Sequence, residues 1–194
     1  MGKNNVKLLI ATERNKINYN KLISLILEYE DYIDKSKFPK FPDINKTIEV
    51  IEYFKRTKKS IGPYENITPL EAANRIATDM LVLYGIKQIV EGISNLKENA
   101  VISISLGTEQ NQLGDFCING QHGEAFNVAE SFFRQKLYKT IKKWDKIVDK
   151  HKIELTYILF NAEVLECEDC NKYLQQIMEK YDEIEFIPVK TWHK

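Results

Sequence analysis

Two acidic residues nine positions apart, Asp115 and Glu124, are the side chains whose types and spacing could do chemistry. Each follows a glycine and opens a short, largely apolar run, and the link Asn119-Gly120-Gln121-His122 between the runs is typical of a hairpin turn. If the two runs pair as strands, the carboxylates approach and repel each other. A divalent cation between them removes that repulsion, and Mg²⁺ prefers such oxygen ligands. The pattern predicts a metal site; two exposed acids flanking a turn are the alternative.

The elements around this pair predict a mixed α/β core. Thr68-Pro69-Leu70-Glu71 is typical of a helix start, with a capping threonine, a proline in the first turn and a glutamate that closes a capping box, and the helix is expected to reach about Leu96. Further elements follow at 100–106 (strand), 113–118 (strand), 123–129 (strand), 130–150 (helix), 154–160 (strand), 169–181 (helix) and 184–189 (strand). Short links favour an antiparallel meander of the first three strands, and the crossover helix returns the next strand parallel.

The first part of the chain predicts a separate helical region. Residues 17–35 carry apolar positions at helical spacing, two prolines break the pattern, and a second helix is expected to contain Ile44, Ile48, Ile51 and Phe54. Gly62-Pro63 is expected to end this segment. We therefore predict a helical N-terminal region over residues 1–62, used for dimerisation or DNA contact, and an α/β core over residues 63–194.

Charge excludes a protein that binds polyanions through its overall field. Lys and Arg together number 28, and so do Asp and Glu, so that any nucleic-acid contact needs a local basic patch. The stretch Lys55-Arg56-Thr57-Lys58-Lys59 is one such patch. The helix 130–150 offers a second, although a solvated outer face is its alternative; its basic residues are Arg134, Lys136, Lys139, Lys142, Lys143, Lys146 and Lys150.

Compartment and cysteine chemistry are bounded by simple patterns. The apolar stretches are too short to span a membrane, and the first residues contain no secretory apolar segment, so we predict a cytoplasmic protein. Three cysteines without framework spacing argue against a disulfide scaffold. Cys167 and Cys170 form a lone C-x-x-C, for which zinc binding, redox chemistry and two cysteines at a helix start are the alternatives.

The order of elements from residue 68, with acids on the second and third strands, resembles the PD-(D/E)XK nuclease superfamily, the fold of most restriction endonucleases. The family core is helix, three-stranded meander, helix, strand. The family's proline-aspartate is matched by Gly114-Asp115 and its second acid by Glu124, and the resemblance covers about residues 68–160. It implies a restriction-endonuclease-like mixed sheet with an αβββαβ core. The implied cofactor is Mg²⁺, held by Asp115, Glu124 and the backbone carbonyl of Ala125.

The third catalytic group departs from the family pattern. The family places a lysine two residues after the second acid, where this chain has Phe126, which cannot hold or polarise water. Some members use another polar residue or a lysine of the following helix instead. The candidates are Asn127, which should point to the opposite face unless the strand bulges, Lys136, Lys139, Gln121 and His122. Glu71 matches an acid that the family's first helix often contributes, with a capping-box role as its alternative.

The resemblance implies a Mg²⁺-dependent endonuclease that hydrolyses phosphodiester bonds in double-stranded DNA, of type II restriction kind. Palindromic double-strand cleavage needs two sites related by a twofold axis, so a homodimer is expected. The alternative is a catalytically impaired nuclease-fold protein that acts as a DNA-binding or assembly module, and Phe126 is its clue. A small α/β enzyme on other substrates has no support, because the sequence contains no glycine-rich phosphate loop and no nucleophile elbow.

Overall fold

The N-terminal part of the chain folds into two helices and a hairpin. The computed structural model describes residues 16–36, 46–107, 113–151, 153 and 155–191, with the side chains of 149–151 excepted. Its first elements are α1 (Tyr19–Lys35), α2 (Thr47–Arg56), β1 (Lys59–Ile61) and β2 (Tyr64–Ile67). Asn18 caps α1, because its side chain accepts a hydrogen bond from the Lys21 amide at 3.0 Å.

The remaining elements form a layered α/β arrangement. They are α3 (Pro69–Gly92), α4 (Leu96–Asn99), β3 (Ile102–Ile104), β4 (Phe116–Ile118), β5 (Gln121–Phe126), α5 (Glu130–His151), β6 (Leu155–Asn161), a short 3-10 helix (Ala162–Glu166), α6 (Glu168–Lys180) and β7 (Glu185–Val189). The predicted start of α3 is confirmed, since the Thr68 hydroxyl oxygen accepts a hydrogen bond from the Glu71 amide at 3.3 Å. The described part of the chain thus contains six α-helices, a five-stranded sheet and a separate two-stranded hairpin.

The sheet is mixed, in the order β3-β4-β5-β6-β7. The strands β3, β4 and β5 are antiparallel neighbours, whereas β5, β6 and β7 run parallel. The predicted meander and the parallel return after α5 are therefore confirmed, and the fold class is mixed α/β. The antiparallel strands are short: β3 and β4 have three residues each, fewer than the sequence pattern suggested.

Two apolar clusters hold the sheet between helical layers. The first joins α1 and α3 to one face of the sheet, with Leu22, Tyr29, Leu83, Phe116 and Leu159 among its members. The second joins α5 and α6 to the other face, and includes Phe133, Trp144 and Phe160. Because successive residues of a strand point to opposite faces, each strand contributes side chains to both clusters. The side of the sheet that faces α5 is the one that concerns the acidic pair.

The helical N-terminal prediction is corrected at its end. The segment around Gly62-Pro63 does not simply stop a helix; it is the turn of the antiparallel hairpin formed by β1 and β2, and Gly62 adopts a positive φ of 57°. The predicted second helix is present as α2, in which Ile48 and Ile51 are exposed and Tyr53 is the buried residue. The predicted helix position Ile44 lies outside the described residues. None of the described helices is both long and apolar enough to traverse a lipid bilayer.

Candidate functional site

Asp115 and Glu124 lie close together at one end of the β4–β5 pair. Glu124 belongs to β5, whereas Asp115 directly precedes β4, next to the last paired residues, Phe116 and Gly123. The Asp115 amide donates to the Gly123 carbonyl at 2.9 Å, and the Ala125 amide donates to Asp115 Oδ2 at 2.8 Å. Glu124 contacts α5, and the charges of Glu124, Lys143 and Lys136 act on Asp115, so both carboxylates lie on the side of the sheet that α5 covers.

Two glycines make this close approach possible. Gly114 has a φ of +100°, and a Cβ there would lie 2.6 Å from the Gly123 carbonyl oxygen and 3.1 Å from the Trp144 ring. A Cβ on Gly123 would lie 2.1 Å from the Phe116 ring. The Gly-Asp and Gly-Glu dipeptides are therefore required by packing, and the glycine in place of the family's proline has a local steric reason.

Burial and like charge both act on Asp115. Burial, the larger cause, and the negative charge of Glu124 together raise the pKa of Asp115 to about 7. The hydrogen bond from the Ala125 amide and the charges of Lys143 and Lys136 pull the pKa of Asp115 in the opposite direction. The two carboxylates are thus close enough to interact electrostatically, as two ligands of one cation must be.

Glu124 is the more enclosed acid, and two donors of α5 fix its carboxylate. Its side chain is 10% exposed. The Lys143 ammonium donates to Glu124 Oε1, and the Trp144 indole N–H donates to the same oxygen at 3.0 Å. A charged partner and a second donor on one oxygen keep the Glu124 carboxylate in one orientation, and both of these donors contact Oε1 and not Oε2.

Lys143 is the cation that the structure brings to the acidic pair, and it was not among the predicted site residues. Lys136 lies on the same face of α5, two turns before Lys143. Its ammonium is 5.9 Å from the centre of the Phe126 ring, and its positive charge also acts on Asp115. Lys139 is exposed. Residues seven apart on a helix share a face, so the signal that points to Lys143 is its spacing from Lys136 together with its position beside the buried Trp144.

Phe126, which stands where the resembled superfamily has a lysine, is held by packing. Its side chain is 3% exposed and lies against the rings of Phe133 and Phe160, with centroid distances of 6.1 and 6.3 Å. An ammonium at this point would be buried in an aromatic cluster. Asn127 follows the end of β5 and is half-buried, and within the described residues it makes no hydrogen bond with Asp115 or Glu124.

The other polar residues of the hairpin are used in structural contacts. Gln121 accepts a hydrogen bond from the Tyr157 hydroxyl at 2.9 Å. His122 Nδ1 lies 2.8 Å from the Leu113 carbonyl oxygen, which places the histidine against the backbone that leads to Asp115. Both residues therefore hold the hairpin, and neither supplies a free group at the acidic pair.

Glu71 lies elsewhere in the fold. Its amide is capped by Thr68, and its carboxylate pairs with Arg75 one turn along α3. It lines a groove of about 550 Å³ that Asp79 and Gly107 also border. Neither Asp115 nor Glu124 is among the described residues that line this groove. The structure therefore does not bring Glu71 together with the predicted metal ligands.

The two carboxylates and the backbone carbonyl at this site suit a cation that keeps several of its water ligands. Among residues 16–36, 46–107, 113–151, 153 and 155–191, no three His, Cys, Asp or Glu side chains group around a common point. Two carboxylates remain, and the Ala125 carbonyl joins them, because the N–H and C=O of one extended residue face the same strand edge and the Ala125 N–H faces Asp115. Mg²⁺ is commonly bound by one or two carboxylates with several waters and substrate phosphate oxygens.

Comparisons with known proteins gave no match. No family model matched the chain, and neither the curated proteins nor the solved structures contained a significant relative. The interpretation of the site therefore depends on the geometry of its residues.

Proposed function

We propose that this chain is a Mg²⁺-dependent endonuclease of the PD-(D/E)XK superfamily that hydrolyses phosphodiester bonds in double-stranded DNA in the cytoplasm, as a type II restriction enzyme does. The observation that carries the proposal is the pair Asp115 and Glu124, close together at one end of β4 and β5, with the Lys143 ammonium on Glu124. Two acids and one lysine at the end of two neighbouring strands of a mixed sheet are the groups that this chemistry needs, although the lysine comes from α5 instead of β5.

The roles of the side chains follow from charge. A bound Mg²⁺ would supply Lewis-acid stabilisation of phosphate charge and a water of lowered pKa. Asp115, Glu124 and the Ala125 carbonyl would hold that ion at the strand edge. The Trp144 indole and the Lys143 ammonium orient Glu124, and the ammonium adds a positive charge where the anionic phosphodiester must approach. Water is excluded on the α5 side by the aromatic cluster beneath Phe126.

Substrate and assembly are inferred from the reaction. Cleavage of both strands at a palindromic site requires two copies of the acidic pair, so the proposed form is a homodimer on duplex DNA, with the N-terminal region of residues 1–62 in dimerisation or DNA contact. The exposed lysines of α5 near the acidic pair, Lys136 and Lys139, offer local charge to the phosphate backbone.

The test is removal of each acid without change of shape. Asp115→Asn and Glu124→Gln should abolish Mg²⁺-dependent cutting of mixed genomic DNA into discrete fragments, because each loses a charged metal ligand. Asp145→Asn, which removes an exposed acid of α5 that pairs with Lys142, is the matched control and should cut normally. Circular dichroism checks that the variants are folded. Undiminished cutting by both Asp115→Asn and Glu124→Gln would show that the site is assigned wrongly.

One observation favours a second candidate. Phe126 is packed into the core where the family has its lysine, and Lys143 is already engaged with Glu124. A nuclease-fold protein that binds DNA or assembles with partners without cleavage would tolerate both features. The same assay separates the candidates: duplex DNA retained by the wild-type chain in the presence of Mg²⁺, with no fragments after long incubation, would favour the binding module.

A further inference from the structure

A second feature of the molecule is an open groove of about 550 Å³ between the last turn of α2 and the first half of α3. This volume lies in the range of sites that bind small ligands or parts of larger ones. Most of the residues that line it have polar or charged side chains, and Leu70 is an exposed apolar residue among them. The residues that the argument uses are Lys55, Asn74, Arg75, Glu71, Asp79 and Gly107.

The acids of the groove are already neutralised by neighbours. Glu71 pairs with Arg75 in the groove wall. Asp79 lies at the floor, 4% exposed, where its carboxylate accepts hydrogen bonds from the hydroxyls of Tyr29 and Tyr64 and, at 3.0 Å, from the Gly107 amide. Burial raises the pKa of Asp79, so its negative charge is further disfavoured. Neither acid therefore presents a free negative charge to a ligand.

Positive charge and hydrogen-bond donors dominate what is left. Lys55 is exposed, and among the described residues no acid pairs with its ammonium; it also opens the basic stretch 55–59. The Asn74 side chain is exposed on the next helix, and its amide makes no hydrogen bond within the part of the chain that the structure describes. An ammonium and an amide N–H₂ on facing walls match the oxygens of a phosphodiester.

The groove lies at the end of the sheet that carries the acidic pair. Gly107, which borders the groove, is two residues after Ser105, whose amide donates to the Asp115 carbonyl at 2.8 Å. Two residues of chain span at most about 7 Å. The groove and the acidic pair therefore lie at the same end of the sheet, the groove on the α3 side and the acids on the α5 side.

We propose that this groove, the Lys55 groove, binds a backbone phosphate of the same duplex that the acidic pair would cleave, with Lys55 and Asn74 as the contacting residues. The inference rests on the proposed function and extends it with a second DNA contact outside the catalytic groups. It also assigns a role to the basic stretch 55–59, which the reaction itself does not use. The contact positions the strand and reads no sequence, since phosphates are common to all sequences.

The experiment measures binding separately from cleavage. A fluorescein-labelled 20-base-pair duplex of mixed sequence is titrated with the Asp115→Asn protein, and in parallel with the wild-type chain in EDTA, between 50 and 200 mM salt. Lys55→Gln should weaken binding and lower the slope of log affinity against log salt by about one, as expected for one lost phosphate contact. Asn74→Ala should weaken binding with an unchanged slope. Lys190→Gln is the control, because Lys190 is exposed beside the opposite end of α3 and should bind as the parent does.

The outcomes separate this inference from the proposed function. A Lys55→Gln protein that binds with the parent's affinity and salt slope overturns the groove assignment, while loss of cutting in Asp115→Asn and Glu124→Gln still supports the nuclease. Weakening by Lys190→Gln equal to that by Lys55→Gln also overturns it, since the effect would then be one of overall charge. If neither parent binds duplex at any salt concentration, the DNA substrate itself is wrong and the groove inference fails with it.

Discussion

At the scale of single residues, the acidic pair is asymmetric. Glu124 is held by the Lys143 ammonium and the Trp144 indole, whereas Asp115 has one backbone N–H and lies next to the charge of Glu124. Glu124 therefore has an ammonium counter-charge in contact, whereas Asp115 has burial and the negative charge of Glu124 acting to raise its pKa. A metal ion would remove the repulsion that burdens Asp115, and this is the physical reason for placing it there.

Lys143 is expected to be the third group of the site. Lys143→Met should lower the rate of Mg²⁺-dependent cutting by about a hundredfold or more, the usual effect of removing one charge-stabilising donor. Lys172→Met, an exposed lysine of α6 that pairs with Glu168, should change the rate by less than severalfold. Single-turnover cutting of a plasmid at saturating enzyme gives both rates. Equal rates for the two variants would show that Lys143 is not part of the site. If neither the variants nor the wild-type chain cuts, the second candidate function gains support.

The shifted titration of Asp115 gives a pH dependence. Its pKa in the folded chain, about 7, lies above the ordinary value of about 3.9, so the folded state holds a proton that the unfolded state has already lost. Stability of the metal-free protein should therefore fall as pH rises from about 4 to about 7. Urea unfolding in EDTA across this range measures the trend, and Asp115→Asn should flatten that part of it. A parent and a variant with parallel profiles would contradict the assigned environment of Asp115.

The sequence identified the acids but not the lysine, for a physical reason. Asp115 and Glu124 are separated by a short turn, so pairing of their strands follows from local chemistry. Helix α5 carries many basic residues, and which one meets Glu124 depends on the rotation and position of the helix on the sheet. The rotation and position of α5 are fixed by contacts such as the approach of the Trp144 ring to Gly114, which involve residues far apart in sequence.

At the scale of elements, the β4–β5 hairpin is the unit that builds the site. Its glycines permit the strands to approach, and Phe116 fills the space where Gly123 has no side chain. The opposite face of the same strands carries the acids. Packing on the α3 side and chemistry on the α5 side are therefore coupled through the alternation of the strand.

Gly123→Ala tests this coupling. The new methyl group would lie 2.1 Å from the rigid Phe116 ring, so we expect a loss of about 1–3 kcal/mol in the free energy of unfolding and a loss of cutting as β5 shifts. Gly92→Ala is the control: it ends α3, a Cβ there meets nothing within 4 Å, and stability should be unchanged or slightly higher. Urea unfolding measures both. Equal stability of the two variants would contradict the close contact between Gly123 and the Phe116 ring.

Element order was predictable where periodicity was long, and failed where turn chemistry was ambiguous. Helices α3, α5 and α6 begin within one residue of their predicted positions, because caps and amphipathic stripes are local signals. The β1–β2 hairpin was missed since Gly62-Pro63 suits both a helix terminator and a turn. The exposure of Ile48 and Ile51 in α2 could not be predicted, because apolar residues at helical spacing do not reveal whether anything covers them.

At the scale of the whole molecule, the N-terminal helix and the sheet belong to one apolar cluster. Leu22 and Leu25 of α1 are 0% and 2% exposed and pack in the cluster that contains the α3 face of the sheet. Ile17 forms an isolated antiparallel bridge with Ile102, the first residue of β3. The division at residue 62 stays a prediction about domain organisation, and these contacts bear on what that division would require.

A fragment of residues 63–194 should therefore fail to fold by itself. Without α1, α3 loses the helix that packs against it, and Asp79 loses the Tyr29 hydroxyl that donates to its buried carboxylate. We expect the fragment to lack a cooperative unfolding transition, whereas the intact chain shows a single one by circular dichroism and by tryptophan fluorescence. Tyr29→Phe in the intact chain isolates the polar part and should lower stability by about 1–3 kcal/mol while leaving the transition single. A fragment that unfolds cooperatively near the temperature of the intact chain would instead establish residues 63–194 as an independent domain, with the N-terminal region as an attachment to it.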